Sequence, residues 1–259
     1  MEPTTINRKE VIDRFDELMQ PHSPHRVLRL LGSPKMGKSH LLTKVFPVRA
    51  RQRYRAHCAV VDLRNQASVP NILHLTCGQL KAASLFSTYY AAYQRWLNRP
   101  KVQVSGLRAI FSTVNIRTQS SDEEGHTLNL HLTSQFVTDA GAVVSQPLLL
   151  LFDALDSAEE SVQLWLMNIL LVQLASLPQV RVVVAGRTVP DPSGSYAPQC
   201  VSHKLTPVTD EAEYINYCRE IGAQLPEETI PHFAQATQYQ PGFFAELIFN
   251  HMGRGGDYV

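Results

Sequence analysis

Apolar and polar positions along this chain fall into alternating blocks. Val11, Ile12, Phe15, Leu18 and Met19 recur at helical spacing and predict a helix within Thr5–Met19. Pro21, His22, Ser23 and Pro24 end it, and the apolar run Val27–Leu31 predicts a strand. A glycine-bearing loop follows, then a helix from about Gly37 to Val45 carried by Leu41, Leu42 and Val45. Residues 57–63 predict a second strand. Pro70 opens a helix running through Leu80, and Ser84–Leu97 predicts another, rich in aromatics. Further along, Pro147–Phe152 is a fully apolar strand, Glu159–Leu174 a helix, Val180–Ala185 a strand and Val201–Leu205 a short last strand. From Thr209 the spacing is helical, over 209–222, 226–237 and 241–251, punctuated by Gly222, Pro226, Pro231 and Pro241.

Strands alternating with helices predict an α/β core with a parallel sheet over 1–205. The helical remainder predicts a small lid domain over 206–252, and the glycines of 253–256 suggest a linker stub over 253–259. Residues 99–145 fit this plan least and suggest an insertion. Gln119–Gly125 is polar throughout and predicts a loop, while Thr127–Leu132 alternates strictly and predicts a half-buried strand. With Ile110–Ile116 that strand would form a hairpin around the acidic loop. The chain carries no internal repeat.

Composition narrows the class. Hydrophobic residues make up 44% and charged residues 18% of the chain, enough apolar material for a real core. A net charge of +1 gives no general attraction to nucleic acid or anionic lipid, so a nucleic-acid partner is not expected. Arg49, Arg51, Arg53 and Arg55 form a local basic cluster, read as a solvated loop or helix end. Cys58, Cys77, Cys200 and Cys218 show neither CxxC pairing nor zinc spacing and read as reduced, buried thiols. The polar first twenty residues lack a signal peptide, and no apolar run reaches membrane-spanning length, so a cytoplasmic protein is expected.

Gly32-Ser33-Pro34-Lys35-Met36-Gly37-Lys38-Ser39 matches GxxxxGK[ST] in full, with His40 following in the helix. Glycines let such a loop turn and bring backbone N–H groups onto phosphate oxygens. The helix start aims its partial positive charge at the same phosphates. Lys38 supplies a point charge to the β- and γ-phosphates, and the Ser39 hydroxyl suits Mg²⁺. The motif lies between an apolar strand and an amphipathic helix, as a phosphate loop must. ATP or ADP with Mg²⁺ is therefore the expected ligand.

A second element has to hold the metal. Leu148–Asp153 is an apolar strand ending in a carboxylate, and Asp153 would reach Mg²⁺ directly or through water. Asp156 offers a second carboxylate for the attacking water, although Asp156 or Ser157 would also suit as helix caps. Arg187, ending the Val180–Ala185 strand segment, would face the γ-phosphate. A surface arginine in an ion pair is the alternative there.

These residues, in this order, resemble the STAND class of P-loop ATPases, signalling relatives of AAA+ proteins that include the NACHT group. Ile6-Asn7-Arg8-Lys9-Glu10 resembles the family's entry element, which implies Ile6, Asn7 and Arg8 near the adenine. Leu148–Asp156 is similar to its hhhhDxxD element and Val182–Arg187 to its sensor strand. Leu205–Ala212 resembles the entry to its lid, and Thr237–Phe243 its T-x-G-x-P segment, which implies Pro241 over the adenine. Three positions depart from the pattern. Tyr239 replaces the lid glycine, Ala154 stands where AAA+ enzymes carry a catalytic glutamate, and Ser157 replaces a second acid.

The resemblance implies a P-loop NTPase fold of the ASCE/AAA+ kind and a slow ATPase switch, whose nucleotide state controls oligomerisation and an effector. Effector and sensor elements are not legible in the chain, so partners or further chain would supply them. Two other readings stay open: an AAA+ ATPase that remodels or loads a partner, and a non-hydrolysing nucleotide-binding scaffold. The absence of a guanine-reading NKxD motif favours adenine.

Overall fold

A computed structural model describes residues 3–66, 68–80, 85–98, 114–143 and 146–253. Its centre is a parallel sheet of β1 (Val27–Leu31), β2 (His57–Asp62), β3 (Leu148–Asp153), β4 (Val180–Gly186) and β5 (Cys200–Lys204). The strand order is β2-β3-β4-β1-β5. Thus β4 separates the strand that leads into the phosphate loop from the strand that ends in Asp153. Both β3 and β4 are buried along their whole length, which is why, apart from Asp153 and Arg181, their residues are apolar without alternation.

Helices cover both faces. On one lie α1 (Lys9–Met19) and α2, a continuous helix over 38–54 whose middle stretch, Leu41–Val45, is widened into a π-turn. Phe15 stacks on Phe46 at 4.2 Å between them. On the other face lie α3 (Val69–Gln79), α4 (Ser87–Leu97), α5 (Val114–Ala142) and α6, which runs over 160–174. Arg181, buried in β4, donates to the carbonyls of Leu18 at 2.5 Å and Gln20 at 2.9 Å. This satisfies the open C-terminal end of α1 and fixes the chain start beside the sheet.

Three further helices, α7 (Glu211–Ile221), α8 (Ile230–Ala236) and α9 (Pro241–His251), enclose their own apolar cluster of Tyr214, Tyr217, Ile230, Phe244 and Ile248. Ile6, from the opposite end of the chain, belongs to this cluster. Asp210 caps α7, accepting from the Ala212 N–H at 3.0 Å, and Gly222 ends it with φ +71°.

Four expectations change. Thr127–Leu132 is not a strand and Gln119–Gly125 is not a loop, because both lie within α5. The hairpin is therefore absent on the Thr127–Leu132 side, while 110–113 fall outside the described residues. Alternation of Leu128, Leu130 and Leu132 was a short-window coincidence. The burial that matters recurs at Leu132, Phe136, Ala140 and Val143, one helical face packed into the main core. Asp139 in this helix accepts from the buried Tyr89 N–H at 2.8 Å, and Thr133 accepts from Trp165 Nε1 at 2.9 Å.

Third, the helix after the phosphate loop runs on to Tyr54 rather than stopping at Val45, which puts the arginine cluster on its last turns. Arg49 is buried there and binds Asp16 through Nε at 2.6 Å. Fourth, neither Asp156 nor Ser157 caps α6, whose N-terminal flank is Glu159. Of the expected linker stub, 254–259 lie outside the described residues. Among the described residues no helix is long and apolar enough to cross a membrane.

Candidate functional site

The phosphate-loop residues leave β1 and turn at its carboxyl end. Lys35 and Gly37 adopt φ +61° and +88°, and helix α2 starts at Lys38. Pro34, Lys35 and Ser39 are exposed, and Met36 is buried. A side chain at Gly32 would come within 3.2 Å of Leu205 Cβ, so the loop enters under the strand-to-lid connection. The Lys38 ammonium donates to the carbonyls of Gly32 at 2.5 Å and Ser33 at 2.9 Å. Burial pulls its pKa down, Asp153 and Asp156 push it back up, and Arg187 pulls it down. All four sequence-predicted charges therefore share one electrostatic neighbourhood.

Asp153 is buried at the last position of β3, and its Oδ1 accepts from the Ala154 N–H at 2.8 Å. Ala154 takes φ +58°, a strained conformation for a residue with a Cβ. Asp156 lies against the end of β4. Its carboxylate accepts from the Arg187 backbone N–H at 2.7 Å and from Arg187 Nε at 2.5 Å. Burial alone would raise the Asp156 pKa, but the Arg187 bonds outweigh it and hold the carboxyl below its ordinary value. A Cβ at Gly186 would sit 2.8 Å from Asp156 Oδ1, so glycine makes room for this pair. Arg187 thus takes the ion-pair alternative, with the acid proposed for the attacking water as its partner.

The entry element lies where chain start, loop and lid converge. Ile6 is buried in the lid cluster, and Asn7 turns the chain with φ +34°. Arg8 is buried, and its two terminal nitrogens donate to Met36 O at 2.9 Å and Thr206 O at 3.3 Å. One side chain thus ties the loop to the lid connection. Burial lowers this guanidinium to about 10, partly offset by Tyr214. Asn7 and Arg8 line a polar cavity of about 250 Å³ with Leu205, Thr206, Pro207 and Val208. His40 is half-buried, and burial lowers its pKa more than its hydrogen bond to the Thr4 backbone raises it.

Pro241 is buried at the start of α9, and the next residue makes a contact that sequence reasoning missed. The Gly242 N–H donates to Lys35 O at 2.7 Å, and a Cβ at Gly242 would lie 2.6 Å from that oxygen. Lys35 Nζ also meets Glu246 Oε2 at 2.8 Å and lies 5.6 Å from the Phe243 ring centroid. The lid helix therefore rests its N-terminal turn on the tip of the phosphate loop. The available signal was Pro241-Gly242 at a helix start, where a glycine is the residue that permits close backbone approach.

Tyr239 explains what a glycine would do at its place. It follows Gln238 in a positive-φ pair at +53° and +55°. Its hydroxyl donates to Glu211 at 3.0 Å, and its carbonyl accepts from the Val208 N–H at 3.0 Å. Among the described residues, five of the six non-glycine residues with positive φ, Asn7, Lys35, Ala154, Gln238 and Tyr239, lie in the loop, strand-end, entry and lid segments just described.

No family model and no curated protein matches the sequence. Solved structures match its fold. The Walker-type ATPase of Pyrococcus abyssi superposes with a TM-score of 0.51 at 16% identity, over 99% of this chain and 71% of that one. Cdc6p from Pyrobaculum aerophilum gives 0.55 at 12% identity, over 98% and 65%. The Orc1 protein of Aeropyrum pernix, solved in complex with DNA, gives 0.52 at 12%, over 100% and 63%. The fold is that of a P-loop ATPase core of the AAA+ kind with a helical lid. The chain spans about two thirds of the length of these solved chains.

Proposed function

We propose that the chain is a STAND-type nucleotide switch, with a core over 1–205 and a lid over 206–252. It binds ATP or ADP with Mg²⁺ at Gly32–Ser39, hydrolyses ATP slowly, and couples the bound nucleotide to lid position. The observation that carries this reading is that one loop meets both the strand-end charges and the lid. Lys38 is attracted by Asp153 and Asp156 and repelled by Arg187, while Lys35 carries the lid through Gly242. A phosphate that moves the loop backbone therefore acts on the lid as well, which is how ligand contacts bias a two-state element.

In this reading Lys38 leaves the Gly32 and Ser33 carbonyls for the β- and γ-phosphates. Backbone N–H groups of the loop take the remaining oxygens. The Ser39 hydroxyl and the Asp153 carboxylate are hard oxygen donors and fit Mg²⁺, which needs only one or two such ligands beside phosphate. Bound there, Mg²⁺ supplies charge neutralisation between the β- and γ-phosphates. Ile6, Asn7, Arg8 and Pro241 frame the adenine side, with His40 behind the loop. Turnover is slow because Ala154 brings no acid and because Arg187 makes Asp156 a poor proton acceptor. Self-association or attached effector and sensor parts would read the switch out.

The likeness to Cdc6p and to a DNA-bound Orc1 favours a second reading, an ATPase that loads or remodels a partner. The net charge of +1 gives no general pull toward nucleic acid. Lys38→Ala followed by calorimetry with ATP and Mg²⁺ tests the site. Most triphosphate affinity should disappear, and unchanged binding would exclude it. Turnover that rises steeply with DNA or a partner would select the second reading.

A further inference from the structure

We infer that Asp62, at the end of β2, is the carboxylate that receives the proton of the attacking water, the task that Ala154 cannot perform. This rests on the ATPase reading above. In the β2–β3 ladder Asp62 pairs directly with Asp153, so both side chains leave the sheet on the same face. Cys58 of β2 and Leu149 and Leu151 of β3 pack on that face with Leu41, Leu42 and Val45 of α2. It is the face of the helix that begins with Lys38 and Ser39. Neighbouring strands lie about 4.8 Å apart, so the two acidic residues start from adjacent positions at the carboxyl edge of the sheet. Arg64 interacts electrostatically with both Asp62 and Asp153.

The other acid of the site is less available. Asp156 has a side chain 10% exposed and is held by both the backbone and the side chain of Arg187. Asp62 also has a partner, since Arg64 binds it through Nε at 2.9 Å and Nη2 at 2.5 Å, and through its backbone N–H at 3.0 Å. That pair is 39% and 56% exposed, however. Exposed pairs of this kind are weak, so Asp62 can turn to a water at little cost. In the step itself the water oxygen bonds to the γ-phosphorus while the bond to the β–γ bridging oxygen breaks. The bridging oxygen keeps the electron pair and leaves as part of ADP. The water's proton passes to Asp62, and inorganic phosphate is the second product.

Asp62→Asn keeps a side chain able to cap the following turn, so folding should survive. The readouts are ATP affinity by calorimetry, single-turnover hydrolysis with Mg²⁺, and the identity of the nucleotide retained after incubation. Affinity should stay within about threefold, hydrolysis should fall roughly 10²–10³-fold, and the variant should retain ATP where the parent retains ADP. Adding Ala154→Glu to Asp62→Asn returns a carboxylate to the neighbouring strand end and should recover at least about tenfold. Hydrolysis within about threefold of the parent would overturn the inference, as would an equal loss of affinity and hydrolysis. A parent that binds ATP but never cleaves it overturns the inference too. A parent that binds no ATP refutes the nucleotide reading itself.

Discussion

Replacing Gly242 by alanine tests the contact between lid and phosphate loop, because the two relevant effects have opposite signs. Gly242 lies in the first turn of α9. Judged by helix propensity alone, alanine should stabilise the chain by up to about 1 kcal/mol. The tertiary contact says the reverse. The added Cβ would lie 2.6 Å from Lys35 O and 3.0 Å from Lys35 C and Cα, all backbone atoms that cannot swing aside. Relieving such overpacking costs about 1–3 kcal/mol, and losing the Gly242 N–H bond to Lys35 O costs roughly 1 kcal/mol more. The net expectation is a lid contact weakened by about 1–4 kcal/mol, after the propensity gain is subtracted. In the proposed switch this contact holds the lid closed, so release of bound ADP should quicken by about 5- to 10³-fold. Stopped-flow release of a fluorescent ADP measures this, with urea unfolding as the stability readout. A variant as stable as the parent, or more so, with unchanged release would refute the coupling between lid and loop.

Asp153→Asn should spare nucleotide affinity more than Mg²⁺-dependent hydrolysis, measured by calorimetry and phosphate release; equal loss of both would make Asp153 structural. Ala154→Gly removes the strain of φ +58° and should raise unfolding stability by roughly 0.5–1 kcal/mol, and a loss on thermal or urea unfolding would contradict the strain. Asp156 has a folded pKa below its ordinary value, so its contribution is present above about pH 4 and is lost as pH falls through the folded value. Asp156→Asn should therefore cost about 1–2 kcal/mol at pH 7, and the gap to the parent should close in acid. A gap that is constant down to about pH 3 would show that charge plays no part.

The phosphate loop was legible because its chemistry is local. Eight consecutive residues carry the glycines, the lysine and the hydroxyl, and the flanking periodicities place a strand and a helix around them. Asp153 was legible for the same reason, as an acid ending an unbroken apolar run. Asp156 and Arg187 were each found, but their mutual binding was not, because β3 and β4 become neighbours only through the sheet order. The contacts of Gly242 and Glu246 with Lys35 join opposite ends of the chain and leave no periodic trace. Asp62 needed the β2–β3 register before it acquired a meaning. The misread hairpin has a different cause. Six residues with period two were weighed alone, although Leu132, Phe136, Ala140 and Val143 carried a helical period through the following turns. Tyr239 shows how a departure from a motif can keep its geometry, since the tyrosine accepts the backbone conformation that a glycine would take freely.

Every role proposed above depends on this chain holding an adenine nucleotide through Gly32–Ser39. The most direct test is to purify the protein without added nucleotide, denature it, and identify what is released. Close to one ADP per chain should come from the parent protein and none from Lys38→Ala. Release of no nucleotide, together with no measurable binding of ATP and Mg²⁺ by the native parent, would contradict it.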